Sequence, residues 1–285
     1  VKPLTKYAKT IFDPNEIKYH LEKAYHECIS GRPGPVWLDI PLDVQSAKIN
    51  LKKMKGYSVK KEKKYNFNRL IQKIQKYLSK SKKPIIVCGQ GVKTSKTFKL
   101  IYQKFSKKLR IPIFFTRAAN DLCSHKNELI LGLAGIKGSK YCKNIMTQSD
   151  LVLNFGSRLA PQFVGHSFEA FKRAKIVSVD IEKDELFKKG CPIDLKICAN
   201  LKFFIPELTK YFKNEKKLIF SEWSKYCENK NLEKISNIDK KCNPIDLYYF
   251  MNKLGQSSKK GSILVTDAGS NYYIGGQVWK FEKGQ

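Results

Sequence analysis

Four polar stretches, three of them rich in glycine, stand where apolar runs stop. Gly89-Gln90-Gly91 follows Pro84-Ile85-Ile86-Val87-Cys88, and Gly156-Ser157-Arg158 follows Leu151-Val152-Leu153-Asn154-Phe155. Asp180-Ile181-Glu182 ends a third apolar run, and Asp267-Ala268-Gly269-Ser270-Asn271 follows a fourth. Open parallel sheets bind ligands at the carboxyl ends of their strands, so these are the places to look for chemistry. Glycine lets a backbone N–H come close to a phosphate. Arg158 adds a cation, and the Asp180 and Glu182 carboxylates can accept hydrogen bonds from a ribose. Together these groups suit an adenine dinucleotide. Gly89 and Gly91 serve equally well as plain turn glycines, because the third glycine of the full dinucleotide fingerprint is missing. Other candidates are weaker. Ser157, Ser167 and Ser270 lack a nucleophile-elbow setting. Cys88 and Cys123 have no neighbouring basic signature. Asp39 and Asp43 flank Pro41 and read as turn braces, and Trp37 reads as core.

The elements that must hold these groups follow from spacing. Asp13 and Pro14 open a helix over Asn15–Ser30 in which Ile17, Leu21, Ala24 and Cys28 repeat at helical intervals. A rigid turn leads to a strand at Val36–Ile40. From residue 67 helices and short apolar strands alternate. Helices are expected at Asn68–Ser79, Thr94–Leu109, Ser139–Gln148, Lys183–Phe187 and Leu201–Lys213. Strands are expected at Pro84–Cys88, Ile111–Phe115, Asp150–Phe155, Lys175–Ile181 and Ile193–Ala199, with a long loop carrying Gly132, Gly135 and Gly138. Continuous apolar strands between helices mean a parallel sheet covered on both faces. The fold class is therefore α/β: a Rossmann-like, doubly wound parallel sheet flanked by incomplete α/β pieces of two further domains. The boundaries read as 1–48 for the end of a first domain, 49–66 for a Lys-rich linker and 67–213 for the central domain. A second polar linker follows at 214–242, with a helical stretch near Phe220–Asn229. A new α/β unit opens at 243–285, with a helix at Pro244–Leu254 and a strand at Ser262–Thr266.

Composition excludes several classes. Of 285 residues, 42% are hydrophobic and 12% aromatic, which is enough for a sizeable core. No run approaches the ~20 apolar residues of a membrane helix, and Val1-Lys2-Pro3-Leu4 opens no signal peptide. The formal net charge is +30, from 55 Lys and Arg against 25 Asp and Glu. Only six of the 55 are Arg, however, and the lysines are dispersed over helices rather than gathered. The charge reads as a solvated surface, not a nucleic-acid interface. The eight cysteines make no Cys-x-x-Cys pair, and the four histidines make no metal cluster. Free thiols in a cytoplasmic, reducing setting are expected. Val1 is not a methionine and Lys283-Gly284-Gln285 closely follow a turn, so both ends read as cut and the chain as an internal piece of a longer protein.

Several stretches resemble one family. Ser30-Gly31-Arg32-Pro33-Gly34-Pro35-Val36-Trp37-Leu38-Asp39-Ile40-Pro41-Leu42-Asp43-Val44-Gln45 resembles the close of the pyrimidine-binding domain in thiamine-diphosphate enzymes of the acetolactate synthase type. Lys6-Tyr7-Ala8-Lys9 resembles the segment before it. Gly132-Leu133-Ala134-Gly135-Ile136-Lys137-Gly138, with Asn144 after it, resembles the family's Gly-x-x-Gly-x-x-Gly loop. Gly156-Ser157-Arg158 resembles its Gly-Ala-Arg turn, and Val179-Asp180-Ile181-Glu182 its Ile-Asp-Ile-Asp strand end. Val265-Thr266-Asp267-Ala268-Gly269-Ser270-Asn271 resembles the start of its diphosphate-binding domain.

The resemblance implies a decarboxylase and carboligase that takes 2-oxo acids, of the kind that joins pyruvate into acetolactate in branched-chain amino acid biosynthesis. It implies thiamine diphosphate and Mg2+ as cofactors, with FAD, ADP or nothing in the central domain. It implies a homo-oligomer with active sites between subunits, a possible regulatory small subunit, and neither nucleic-acid nor membrane partners. Gly89, Gly91, Gly132, Arg158, Asp180 and Glu182 fall at the places that hold FAD, while Gly269, Ser270 and Asn271 would touch the thiamine diphosphate. In the family a Glu of the first domain protonates the aminopyrimidine, and a Gly-Asp-Gly…Asn motif holds Mg2+; these are expected before Val1 and after Gln285. The catalytic and metal sets within these residues are therefore empty. Departures occur at Ala199-Asn200, where the family has Gly-Asp, and at Ala160-Pro161-Gln162, where it often has Asp-Asp-Arg. The resemblance also admits a relative acting on oxalyl-CoA, sulfoacetaldehyde or benzoylformate, or a non-catalytic nucleotide-binding relative.

Overall fold

Among the described residues there are eight strands and thirteen α-helical stretches, and every strand pairs in parallel with its neighbours. The computed structural model describes residues 1–59, 65–135, 138, 140–165, 167–232, 243–279 and 281–282. Contacts divide the chain into two compact units, Val1–Tyr65 and Asn66–Gln285.

In the first unit β1 (Tyr7–Thr10) and β2 (Val36–Asp39) form a two-stranded sheet. Between them runs α1 (Ile17–Ile29), and α2 (Leu42–Ser46) follows. The Asp13 carboxylate accepts the Asn15 amide at 2.9 Å, the cap read from the sequence. His20 is buried with one ring nitrogen 2.6 Å from the Tyr7 hydroxyl and the other 3.2 Å from the Glu16 carboxylate. Trp37, expected in the core, is 53% exposed. Burial alternates along β2, and Trp37 stands on the open face. The segment expected as a free linker at 49–66 is held over part of its length: Met54 is buried and the Tyr57 amide donates to Glu22 at 2.7 Å. Residues 60–64 lie outside the described residues.

In the second unit α3 (Asn68–Lys80) buries Ile71, Ile74 and Leu78, one face of the helix, and leads to β3 (Pro84–Cys88), all five residues buried. Then come α4 (Gln90–Ser95), α5 (Phe98–Leu100), the π-helical turn Ile101–Ser106 and α6 (Lys107–Leu109). The continuous helix expected over Thr94–Leu109 is broken at Lys96, which adopts a left-handed conformation. The Thr94 and Ser95 hydroxyls donate to backbone carbonyls at 3.1 and 3.2 Å, and this competition with the helix ladder ends α4. β4 (Ile113–Phe115) pairs with β5 (Ile130–Leu133), a strand placed in a loop by the sequence reading. Gly132 sits inside β5 at a register shift, with φ +83, so the glycine that suggested a loop accommodates a bulge. α7 (Lys140–Gln148), β6 (Leu151–Phe155), α8 (Pro161–Val164), β7 (Lys175–Asp180), α9 (Lys183–Phe187), β8 (Leu195–Cys198) and α10 (Leu201–Tyr211) complete the alternation.

The six strands lie in the order β5-β4-β3-β6-β7-β8. Ile86, Leu153 and Val177 bury one face with α3 and α10, whereas Ile85, Val152 and Ile176 bury the other with α7. This is the doubly wound parallel sheet expected from the alternation.

Residues 214–242, expected as a linker, begin instead with α11 (Ser221–Leu232), which docks in the core. Trp223 is buried and its indole N–H donates to the Pro84 carbonyl at 3.0 Å, and Cys227 is fully buried. Within α11 Lys225 is exposed and Lys230 half-exposed; residues 233–242 lie outside the described residues. α12 (Leu247–Ser257) and α13 (Ser270–Val278) close the chain around Met251, Val278 and Trp279. No strand forms at the expected Ser262–Thr266. Ile263 and Val265 are each 85% exposed, and among the described residues no strand runs beside them to receive their hydrogen bonds. No helix of the described residues is long and apolar enough to cross a membrane.

Trp223→Ala removes a large buried ring and leaves the Pro84 carbonyl without its donor. Denaturant unfolding is expected to show a loss of about 3–5 kcal/mol; a loss below about 1 kcal/mol would contradict the docking of α11.

Candidate functional site

The order of strand addition reverses between β3 and β6, so their carboxyl ends flank the switch point of the sheet. There the backbone closes on itself. The Gly89 amide donates to the Phe155 carbonyl at 2.9 Å, the Gly91 amide to the Gly156 carbonyl at 3.0 Å, and the Gly156 amide to the Val179 carbonyl at 2.9 Å. A Cβ on Gly91 would lie 2.8 Å from Gly156 Cα, and one on Gly89 2.5 Å from Ser157 Cα and against the Gly156 carbonyl oxygen. Gly156 itself has φ +61. Gly89 and Gly91 were expected to offer amides to a phosphate. Both donors are instead committed within the protein, and the glycines serve close approach.

One polar seam runs beside this contact, and the sequence reading missed it. Asn154 on β6 is fully buried; its amide nitrogen donates to the Ser157 carbonyl at 2.7 Å and reaches the Ser178 hydroxyl at 2.8 Å. Its Oδ1 meets no partner among the described residues. An asparagine inside an otherwise apolar strand was the available signal.

The remaining candidates are spread along the carboxyl edge. Arg158 follows β6 with its side chain 63% exposed, and its Nε lies 2.6 Å from Glu185 on α9. The Lys188 ammonium reaches the same Glu185 at 3.1 Å and also the Arg158 carbonyl. Asp180 is buried at the end of β7 and accepts the Glu182 amide at 2.9 Å. Glu182 is half-buried at the start of α9. Gly132 lies across the switch point from these, inside β5. The two departures from the family pattern have local explanations. Asn200 caps α10 by accepting the Lys202 amide at 2.9 Å, and Pro161 occupies the first turn of α8, where its missing N–H costs nothing.

Gly269, Ser270 and Asn271 open α13. Gly269 has φ +130 and supplies no side-chain cap. Asn271 Oδ1 accepts the Tyr272 amide at 2.9 Å, whereas the Ser270 and Asn271 amides meet no acceptor among the described residues. These residues are exposed or half-exposed. A nine-residue helix with uncapped first-turn amides directs a partial positive charge outward, which fits a diphosphate. For an adenine dinucleotide the fit is narrower: Arg158 and Glu182 stand at the carboxyl edge, Arg158 paired with Glu185, and the Gly89 and Gly91 amides are not free. Among the described residues no three His, Cys, Asp or Glu side chains gather to hold a metal. Burial pushes the Cys88 thiol well up and the Cys123 thiol up to about 12, although a hydrogen bond to Asn127 opposes the second shift. Both stay protonated at neutral pH and offer no thiolate.

Fold and site together define a doubly wound α/β unit with polar groups on its carboxyl edge and a separate helix whose first-turn amides are uncapped. Residues 71–208 match the central domain of thiamine pyrophosphate enzymes. The chain is 28% identical over 291 residues to acetolactate synthase 1, chloroplastic, of Nicotiana tabacum, covering 99% of this chain and 43% of the relative. It is 28% identical over 280 residues to the acetolactate synthase large subunit of Lactococcus lactis, covering 97% and 47%. It is 30% identical over 202 residues to glyoxylate carboligase of Escherichia coli O157:H7, covering 70% and 34%. These matches support a thiamine-diphosphate-dependent family of the acetolactate synthase type. It spans less than half the length of these relatives.

Gly89→Ala places a methyl against the Gly156 carbonyl and forces the two strand ends apart. It is expected to cost about 1–3 kcal/mol in denaturant unfolding; a neutral substitution would contradict the glycine contact.

Proposed function

We propose that this chain is part of a thiamine-diphosphate-dependent 2-oxo acid decarboxylase and carboligase that forms a C–C bond in the manner of acetolactate synthesis. The observation that carries the reading is the uncapped start of α13 at Gly269–Asn271, within the stretch that resembles the family's diphosphate-binding segment. On this reading residues 1–48 close a pyrimidine-binding domain, 67–213 form the central domain, and 243–285 open the diphosphate-binding domain. The full-length protein is a cytoplasmic homo-oligomer with active sites between subunits, open to a regulatory small subunit, and it uses Mg2+. The named relatives include acetolactate synthases and a glyoxylate carboligase. The proposal therefore covers the reaction class rather than one acceptor.

The roles of this chain's own residues follow. The Ser270 and Asn271 amides and the Ser270 hydroxyl hold the diphosphate at the helix end, where amide dipoles favour negative charge. Gly269, at φ +130, gives the entry to that turn a conformation that a side chain would strain. When bound, thiamine diphosphate supplies the electron sink for the carbanion left by decarboxylation. On the central sheet Arg158 and Glu182 hold an adenine nucleotide, FAD or ADP, with Arg158 exchanging its Glu185 partner for phosphate. Asp180 orients Glu182 by accepting its amide.

The full-length protein with thiamine diphosphate and Mg2+ is expected to release CO2 from pyruvate or another 2-oxo acid. Absence of both CO2 release and cofactor binding would overturn the reading. Arg158→Ala in the full-length protein is expected to lower flavin or ADP retention and leave thiamine diphosphate affinity as it was. Unchanged nucleotide retention would remove Arg158 from that role.

A further inference from the structure

The start of α13 is held by a residue of the central sheet that the reading above leaves without a role. Arg117 follows β4 at the carboxyl edge, in the turn Arg117–Ala119. Its Nη1 donates to the Tyr272 carbonyl at 2.8 Å. The same guanidinium lies over the Tyr272 ring, 3.9 Å from its centroid, and 5.1 Å from that of Tyr273. A single planar cation thus grips both the backbone and the side chain of the third residue of α13, one position after Asn271.

The sequence of α13 accommodates this grip. A Cβ on Gly276 would lie 3.0 Å from Arg117 Nη1 and 2.9 Å from Leu133 Cδ2, and one on Gly275 would lie 2.9 Å from Met251 Cε. Two adjacent glycines weaken a nine-residue helix by about 1 kcal/mol each relative to alanine. In return the helix comes down onto the guanidinium. The rear of the segment has its own anchors: Asn120 Nδ2 donates to the Gly276 carbonyl at 3.3 Å, and the His125 amide to the Phe281 carbonyl at 3.0 Å. Arg117 therefore sets the front of α13 while Asn120 and His125 set the rear.

The grip falls on Tyr272, directly after Ser270 and Asn271, whose amides have no acceptor among the described residues. We propose that Arg117 is a positioning residue for thiamine diphosphate, orienting the first turn of α13 so that the Ser270 and Asn271 amides converge on the diphosphate. This rests on the reading of Gly269–Asn271 as the diphosphate segment. It makes cofactor affinity depend on a residue of the central sheet.

The test measures thiamine diphosphate affinity by calorimetry, with Mg2+ present, on the full-length protein and three variants. Arg117→Met keeps the apolar stem and removes the charge and donor; it is expected to raise Kd about ten-fold or more. Arg117→Lys keeps the charge without the planar stack and is expected to recover part of that loss. Adding Tyr272→Leu to Arg117→Met is expected to raise Kd no further, because the partner of the ring is already gone. The loss should fall on cofactor affinity and not on KM for the 2-oxo acid. A general loss of packing would give additive effects and no rescue by Lys. Wild-type Kd in Arg117→Met or Arg117→Lys would overturn the proposal. If the unsubstituted protein itself binds no thiamine diphosphate, the underlying reading of α13 falls, and this positioning role with it.

Discussion

The carboxyl edge of the sheet is organised by one contact, the approach of the Gly89–Gly91 turn to Gly156 across the switch point. β3 is laid down first, the chain builds outward through β4 and β5, and it then returns to build β6, β7 and β8 on the other side. The turn after β3 and the turn after β6 must therefore share the space where ligands bind in such folds. Here they share it by touching. Side chains at Gly89, Gly91 or Gly156 would each meet backbone, and the amides that could have faced a phosphate bind carbonyls of the neighbouring strand end. What this leaves on the edge is a row of side chains, Arg158 and Glu182 on one flank and Arg117 on the other.

The two flanks carry different tasks. On the β6–β7 flank, Arg158, Glu185 and Lys188 form an ionic cluster in which the Arg158 side chain is exposed while Glu185 and Lys188 are partly buried. On the β4–β5 flank, α13 is clamped by hydrogen bonds and ring contacts. The latter arrangement suits holding a helix end in one direction. Three of the six arginines make specific contacts: Arg110 pairs with Glu128 and Glu228, Arg117 holds α13, and Arg158 pairs with Glu185.

Much of this architecture was legible in the residues. The strand at 84–88 is a continuous apolar run, 151–155 is interrupted only by Asn154, and 175–180 is apolar at Ile176, Val177 and Val179, a pattern that suits a sheet covered on both faces. The family could be read from Ser30–Gln45 and Gly156-Ser157-Arg158. Reading failed where a residue type has two uses. Gly132 suggested a loop and makes a bulge in β5. The lysines of 214–232 suggested a linker, yet Trp223 and Cys227 of α11 are core. Ile263 and Val265 suggested a strand, but alternation makes a strand only where another strand lies alongside. Trp37 suggested core, yet a two-stranded sheet leaves a face open. Arg117 was invisible because its partner lies 155 residues away in sequence; only the fold brings Tyr272 to the end of β4.

The central claim is that the first turn of α13 and the turn after β4 act together on one anionic cofactor. Hydrogen–deuterium exchange on the full-length protein, with and without thiamine diphosphate and Mg2+, tests it most directly. The account predicts that the cofactor slows exchange at residues 270–273 and, in the same titration, at 117–120, with the 84–88 strand unchanged. Protection confined to other segments, or protection at 270–273 with none at 117–120, would contradict it.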